Sequence, residues 1–442
     1  MNLDELLTNV SVIGAAGKMG SGIVALVAQE LANLKLNNPD KTYRLNCIDV
    51  NEQGLEGLQK YLKSQMVKVA EKGIVALRKS YESREDLVEN WEVINEYVDD
   101  SLSVIRYTTD FACARDSKLV FEVVFENEEL KIKILKQLKE LCPEETLFFT
   151  NTSSIPVGFL AKEADLEGRI IGYHFYNPPI VQKLVEVITA EGTAQDFIDL
   201  SHEFGKRLRK KLFPSNDIAG FIGNGHFIRD GLYAMSEVER LKSEYSLPEA
   251  IYIMNEVSQN FLVRPMGIFQ LIDYVGIDVF QCILSVMSKH LKDDSLHSEL
   301  VDTFMKKGVK GGQRPNGSQK DGFLKYEKGA PAGVYDLETD SYVELAGIKE
   351  KLDAKIGNPP EGFNPWKKLL KDADKDAKLA AYFGNVKTAE GLGAELARNY
   401  MKRSKEIGQN LLDDRVARSA DDVNAVLMNG FFWLYGPINE YI

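Results

Sequence analysis

The chain is short of the residues that build disulfide scaffolds and metal centres, with 4 cysteines and 5 histidines among 442 residues. Cys47, Cys113, Cys142 and Cys282 lie far apart and form no Cys-x-x-Cys pair. That argues against a disulfide framework or a zinc site, and makes buried thiols in a reducing, cytoplasmic compartment the expectation. No metal is expected. No run approaches 18 apolar residues, so no membrane-spanning helix is predicted. The opening Met-Asn-Leu-Asp-Glu has neither a basic n-region nor an apolar h-region, so no secretory signal is predicted either. Excess positive charge is also missing. A formal net charge of -12 argues against a nucleic-acid binder or a coat for anionic membranes, and leaves a phosphorylated substrate to local lysines.

What is present is ordinary globular composition, 44% hydrophobic and 27% charged, over a length that exceeds one hydrophobic core. Two or three domains are expected. Residues 10–13 are an apolar run ending at Gly14, and helical periodicity follows from 19 to about 36. Strand readings recur at 43–48, 119–125, 147–150, 169–175 and 184–188, with helical spacing at 51–72 and 130–141. This alternation predicts a Rossmann-like, doubly wound, mostly parallel α/β domain over residues 1–211. The stretch 73–105 reads as a polar helical excursion outside the core. From 212 onward the pattern turns all-α, with helices at 221–241, 247–261 and 269–291, and a first helical domain over 212–305.

Residues 306–345 read as a loop-rich linker, punctuated by Gly311-Gly312, Pro315-Asn316-Gly317 and Gly329-Ala330-Pro331. A second helical domain over 346–442 is expected to be a truncated repeat of the first. Ser246-Leu247-Pro248-Glu249 leads through a helix to Pro265-Met266-Gly267-Ile268, and Ser419-Ala420-Asp421-Asp422 leads through another to Tyr435-Gly436-Pro437-Ile438. Phe431, Phe432, Trp433, Leu434 and Tyr435 are expected to dock on the first copy within the same chain, which predicts a monomer or a loose oligomer.

The glycine turn Gly14-Ala15-Ala16-Gly17-Lys18-Met19-Gly20 lies between a strand and a helix, where free N–H groups and the helix dipole suit a pyrophosphate. It carries one residue more than the usual Gly-x-Gly-x-x-Gly. Asp49 closes the second strand, where a carboxylate binds a ribose diol and favours NAD over NADP, though it follows Gly14 by 35 residues instead of the usual ~20. His174 ends a strand and Glu186 follows on the next, so a strand-turn-strand can join imidazole and carboxylate as a general base requires. Ser153 sits in an Asn151-Thr152-Ser153-Ser154 turn, readable as a substrate contact or as a cap. Asn224, in Gly220-Phe221-Ile222-Gly223-Asn224, reads equally as a donor to a substrate carbonyl or as a helix cap. His202, His226, His290 and His297 read as surface residues, and the basic cluster 206–211 as an answer to a helix dipole.

These residues, in this order, resemble the L-3-hydroxyacyl-CoA dehydrogenases, which oxidise 3-hydroxyacyl-CoA to 3-ketoacyl-CoA in fatty-acid β-oxidation. The resemblance runs through Val12-Ile13-Gly14, Phe121-Glu122-Val123-Val124-Phe125-Glu126-Asn127, the Asn-Thr-Ser-Ser turn, His174-Phe175-Tyr176-Asn177-Pro178, Lys183-Leu184-Val185-Glu186-Val187, Gly220-Phe221-Ile222 and Gly322-Phe323-Leu324-Lys325-Tyr326. It implies NAD as cofactor, an acyl-CoA substrate, His174 as base, Glu186 as its orienting carboxylate, and Ser153 and Asn224 at the substrate oxygen. Glu126 and Lys131 match residues near the nicotinamide end of the cofactor, and Asn151 is expected to bind the cofactor as well. Lys72 falls at a basic position on the family's CoA-contacting helix, with Lys68 one turn earlier. Gly225 stands where the family usually has arginine. Relatives with two helical repeats are often fused to an enoyl-CoA hydratase, so the chain is expected to be a stand-alone relative or the dehydrogenase part of a longer polypeptide. A dehydrogenase acting on a free hydroxy acid and a non-catalytic, crystallin-like relative are the alternative readings.

Overall fold

The computed structural model describes residues 2–314 and 317–442, which form two compact units, Met1–Asp217 and Ile218–Ile442. Pro315 and Asn316, part of the predicted linker punctuation, lie outside the described residues.

The first unit is built on an eight-stranded sheet: β1 (Asn9–Ile13), β2 (Arg44–Ile48), β3 (Ile105–Thr108), β4 (Leu119–Glu122), β5 (Leu147–Thr150), β6 (Ile170–Phe175), β7 (Leu184–Thr189) and β8 (Lys211–Ser215). The strand order is β3-β2-β1-β4-β5-β6-β7-β8, and every pair is parallel except β6 with β7. The order reverses between β1 and β4, the switch point at which such sheets present ligands beyond the carboxyl ends of their strands. β1, β2, β4, β5 and β6 are apolar because they are covered on both faces; Phe121, Phe149, Tyr173, Phe197 and Phe204 stack on one face with centroids 4.5–6.2 Å apart.

Three features depart from the sequence reading. The helix read over 51–72 spans Glu52–Ser80, capped by Asn51, and its partner Asn90–Ser103 buries Val93, Tyr97 and Val98; the supposed polar excursion therefore contributes to the core. β3 and β8, the two edge strands, are half-buried and short, so alternation does not reveal them. Lys211 begins β8 instead of ending a helix, and the sheet runs past the expected boundary at 211. Pro214 is tolerated there because an edge strand leaves N–H positions unpaired.

The second unit has one hydrophobic core shared by both helical copies. Its helices include Phe221–Leu241, Leu247–Glu256 with a π-turn over Val257–Phe261, Ile268–Val275, Ile277–Leu291, Leu392–Asp413 and Ala420–Gly430. The stretch read as a linker is folded. It holds an antiparallel meander of β9 (Leu324–Glu327), β10 (Ala330–Asp336) and β11 (Ser341–Glu344), with Phe323, Leu324, Val334 and Tyr335 buried. Asp273 staples it to the helix Ile268–Val275: its carboxylate accepts from the Phe323 and Leu324 amides (2.7 and 2.9 Å) and the Tyr326 hydroxyl (2.9 Å).

The internal repeat is visible as geometry. Asn255 Oδ1 accepts from Gln270 N (3.1 Å) and Asn424 Oδ1 from Ile438 N (3.0 Å). Gly267 and Gly436, at the same interval from those asparagines, lie so close to them that a Cβ would come within 2.2 and 2.0 Å. Val263 and Phe432, again at matching positions, both have positive φ (51° and 57°). The copies meet across a pseudo-twofold: Trp433 stacks on its own counterpart, Arg264, whose guanidinium carbon lies 3.8 Å from the ring centroid, and the Tyr435 hydroxyl donates to Leu262 O (2.8 Å). Trp433, Leu434 and Tyr435 are buried, whereas Phe432 is 44% exposed because its left-handed turn points it outward.

Candidate active site

Three clusters converge on the carboxyl edge of the sheet in the first unit. The first is the glycine turn. Gly14 has φ +83°, and a Cβ on it would reach 2.6 Å from Val123 O; one on Gly20 would reach 2.1 Å from Gly14 O. Only glycine fits either position, and the cradle they leave lies at the N-terminus of the helix Lys18–Asn37, whose N-cap is Gly17. Lys18 is exposed and Met19 half-buried at its rim. The extra residue has a use. Ala16 N donates to Asp49 Oδ2 (2.9 Å) and Asn51 N to Oδ1 (3.0 Å), so the carboxylate is fixed beside the turn despite its distance in sequence. The arrangement fits a dinucleotide, with the pyrophosphate on the helix N-terminus and a ribose against Asp49.

The second cluster is organised by Glu126. Its Oε1 accepts from Thr152 Oγ1 (2.8 Å), Ser153 N (2.8 Å), Ser154 N (3.0 Å), Ser154 Oγ (2.9 Å) and Ser153 Oγ (3.2 Å), so one carboxylate shapes the whole Asn-Thr-Ser-Ser turn. Asn151 Oδ1 accepts from Phe175 N (2.9 Å), which ties that turn to the end of β6. Lys131 is buried, with its ammonium on Glu122 (2.9 and 3.0 Å), Val124 O (3.3 Å) and Glu126 (3.4 Å). It holds the two carboxylates, Glu122 and Glu126, together. Burial pushes the Glu126 carboxyl up, but Lys131 and the hydroxyl and amide donors outweigh it and hold the group below its usual value. Burial likewise opposes charge on Lys131, and the two carboxylates keep it above its usual value. Glu122 was missed in the sequence; its signal was a lone carboxylate inside an apolar strand.

The third cluster joins adjacent strands. His174 on β6 and Glu186 on β7 are register partners, and Nδ1 lies 3.0 Å from Glu186 Oε2. Glu186 is fully buried and His174 7% exposed. Tyr176, quoted in the motif but given no role, donates its hydroxyl to the same Oε2 (2.7 Å). Lys210 spans the β6–β7 turn from below, donating to Pro179 O (2.5 Å) and Gln182 O (2.6 Å), and burial lowers it to about 8. Of the 206–211 cluster, Lys206 and Arg207 do end the helix Gln195–Arg207 as a helix-dipole charge would, whereas Lys210 lies beyond it and pins a loop.

Lys68 and Lys72 are exposed on the helix Glu52–Ser80 and have no ion-pair partner among the described residues. Asn224 belongs to the second unit, half-buried in the first turn of the helix Phe221–Leu241. Gly225 beside it lies under the second copy: a Cβ there would stand 3.0 Å from Leu411 Cδ2, so a side chain would have to displace the end of Leu411. His226, expected at the surface, is fully buried, its Nε2 3.2 Å from Ser404 O and its ring edge-on to Trp433 at 5.3 Å. Helix Phe221–Leu241 is covered by the second copy, which a single-helix reading does not anticipate. Among the described residues no single helix is long and apolar enough to cross a membrane.

A switch-point glycine cradle, a strand-end carboxylate and a histidine–glutamate pair on one sheet edge define an NAD-binding dehydrogenase. Known proteins agree. Residues 9–218 match the family described as 3-hydroxyacyl-CoA dehydrogenase, NAD binding domain, and residues 250–326 match 3-hydroxyacyl-CoA dehydrogenase, C-terminal domain. The chain is 31% identical over 323 residues to a probable 3-hydroxybutyryl-CoA dehydrogenase of Bacillus subtilis, covering 72% of this chain and 96% of that protein. It is 29% identical to the mitochondrial hydroxyacyl-coenzyme A dehydrogenase of Homo sapiens, over 66% of this chain and 83% of that one. In fold it is similar to the crystal structure of 3-hydroxybutyryl-CoA dehydrogenase from Escherichia coli K12, with a TM-score of 0.64 and 20% identity over 98% of this chain and 90% of that one. The chain belongs to the 3-hydroxyacyl-CoA dehydrogenase family, and its cofactor is NAD. Some relatives are longer: the fatty acid oxidation complex subunit alpha of a Shewanella strain is 28% identical over 85% of this chain, which covers 48% of that protein.

Proposed function

We propose that the chain oxidises L-3-hydroxyacyl-CoA to 3-ketoacyl-CoA in the direction of fatty-acid β-oxidation, with His174 as general base. The observation that carries this reading is the His174–Glu186 pair at the carboxyl edge of the sheet, beside the dinucleotide cradle. An ionised carboxylate only accepts, so Nδ1 carries the proton and Nε2 keeps its lone pair for the substrate hydroxyl. When Nε2 takes that proton, the buried carboxylate of Glu186 stabilises the imidazolium without moving a proton itself. Ser153, held by Glu126, steadies the substrate oxygen, and the family resemblance gives Asn224 the same role. Asn151 and Glu126 line the cofactor side of that turn. NAD, when bound, would accept the hydride that leaves the carbinol carbon as its hydroxyl oxygen gives up a proton to His174. Lys68 and Lys72 offer exposed cations to the phosphates of the CoA nucleotide. Cysteines without a disulfide among the described residues accord with a cytoplasmic enzyme, which works beside a hydratase, separate or fused.

The test is NADH formation from 3-hydroxybutyryl-CoA and from free 3-hydroxybutyrate, for the wild type and His174→Gln. The ester is expected to be the better substrate, and the variant to lose about a hundredfold or more in turnover while still binding NAD. Equal use of the free acid overturns the CoA assignment. Near-normal turnover in a folded variant overturns the base.

A further inference from the structure

Glu186 is a buried carboxylate with two donors on one oxygen: His174 Nδ1 at 3.0 Å and the Tyr176 hydroxyl at 2.7 Å. We infer that Tyr176 is a positioning residue that sets the basicity of the His174–Glu186 pair by sharing the carboxylate oxygen on which the imidazole depends. The inference rests on the reading of His174 as the base.

The geometry leaves the phenol one role toward Glu186. An ionised carboxylate cannot donate, so the O–H must, and at 2.7 Å this is a charge-assisted bond of the stronger kind. Burial, then the Glu186 charge and the bond to it, raise the Tyr176 phenol well above its usual value, so the donor does not ionise at any working pH. The tyrosine ring also stands against the imidazole, with centroids 4.7 Å apart. It therefore fixes the carboxylate and the ring plane together.

Two consequences follow. The hydroxyl stabilises Glu186 as an anion whether or not the imidazole is protonated, which helps a fully buried carboxylate while the ring beside it is neutral. It also draws charge from the oxygen that faces Nδ1, so the imidazolium is stabilised less than by an unshared carboxylate. The base is released from its proton more easily as a result. Close to the pair, β6 and its continuation bring His174 and Tyr176, the register partner of Glu186 on β8 is Phe213, and the cation Lys210 is bound to carbonyls of the β6–β7 turn.

The experiment uses the full chain with Tyr176→Phe and with 3-fluorotyrosine at position 176, whose hydroxyl is a stronger donor. The acid limb of the kcat/KM profile reports the base. Removing the hydroxyl leaves the shared oxygen Oε2 to the imidazolium, so in Tyr176→Phe that limb moves to higher pH by about half a unit to one unit, with KM for NAD unchanged. The fluorinated side chain moves it the opposite way. The His174 ring, titrated by nuclear magnetic resonance without substrate, moves with the same signs. A merely structural tyrosine shifts neither in opposite directions. Limbs and ring titrations that stay with the wild type in both variants, or that move to lower pH in Tyr176→Phe, overturn the inference. The two readings fail separately: retained turnover in His174→Gln removes the base, whereas an unmoved His174 titration removes Tyr176 and leaves the base in place.

Discussion

The second unit is expected to lose about 2 kcal/mol of stability between pH 7 and pH 5 through one residue, His226. Its ring is fully buried, Nε2 faces Ser404 O at 3.2 Å, and Nδ1 has no hydrogen-bond partner among the described residues. A second proton would be an unpaired cation in the core, close enough to Arg264 to feel its charge. Burial, opposed by Asp230 and reinforced by Arg264, lowers the imidazole from 6.5 to about 4. Between those values the unfolded chain binds a proton that the folded chain refuses, so stability is present above pH 6.5 and lost as pH falls toward 4. One such group costs about 1.4 kcal/mol per pH unit inside the window, hence about 2 kcal/mol at pH 5 and about 3 kcal/mol by pH 4. The assay is urea unfolding at pH 7 and pH 5, followed by tryptophan fluorescence in a Trp91→Phe background. Trp91 is 62% exposed in the first unit, and its removal leaves Trp366 and Trp433, both in the second. His226→Gln keeps a donor for Ser404 but cannot titrate, so its loss between the two pH values should be smaller by about 2 kcal/mol. Equal losses in the two proteins would refute the reasoning.

Lys131→Met leaves Glu122 and Glu126 buried without their cation; a loss of about 3–5 kcal/mol in denaturant unfolding is expected, with weaker NAD binding as the 151–154 turn relaxes. Gly225→Arg must displace the Leu411 side chain at the crossing and should cost about 1–3 kcal/mol, against a smaller cost for Gly225→Ala. Rates with NAD and NADP at one concentration should favour NAD, and Asp49→Asn should narrow that preference; equal wild-type rates would mean that Asp49 does not meet the ribose. Truncation before about residue 385 removes Trp433 and Tyr435 from the shared core and should give dimers or aggregates by light scattering; a soluble monomer of unchanged stability would make the second copy an independent appendage.

Much of the active edge was legible because its signals are local. A glycine turn needs glycine wherever the chain folds, an apolar run ends where a strand ends, and a histidine and a glutamate on consecutive strands meet if the turn between them is short. The helices Phe221–Leu241 and Leu247–Phe261 followed from periodicity for the same reason. The linker reading failed because strands of four to seven residues, separated by glycine turns, carry too little alternation to outweigh their punctuation.

By itself, then, the sequence determined the alternating α/β unit, the cofactor cradle, the His174–Glu186 pair and the duplicated helical unit, since each depends on residue spacing along one stretch of chain. Tertiary structure alone decided what distant segments do to polar side chains. It placed Lys131 between two buried carboxylates, closed Trp433 over Arg264 and beside His226, stapled the meander to Asp273, and set the Tyr176 hydroxyl on Glu186. Burial and charge depend on which atoms arrive from elsewhere in the chain, and no local pattern encodes that arrival.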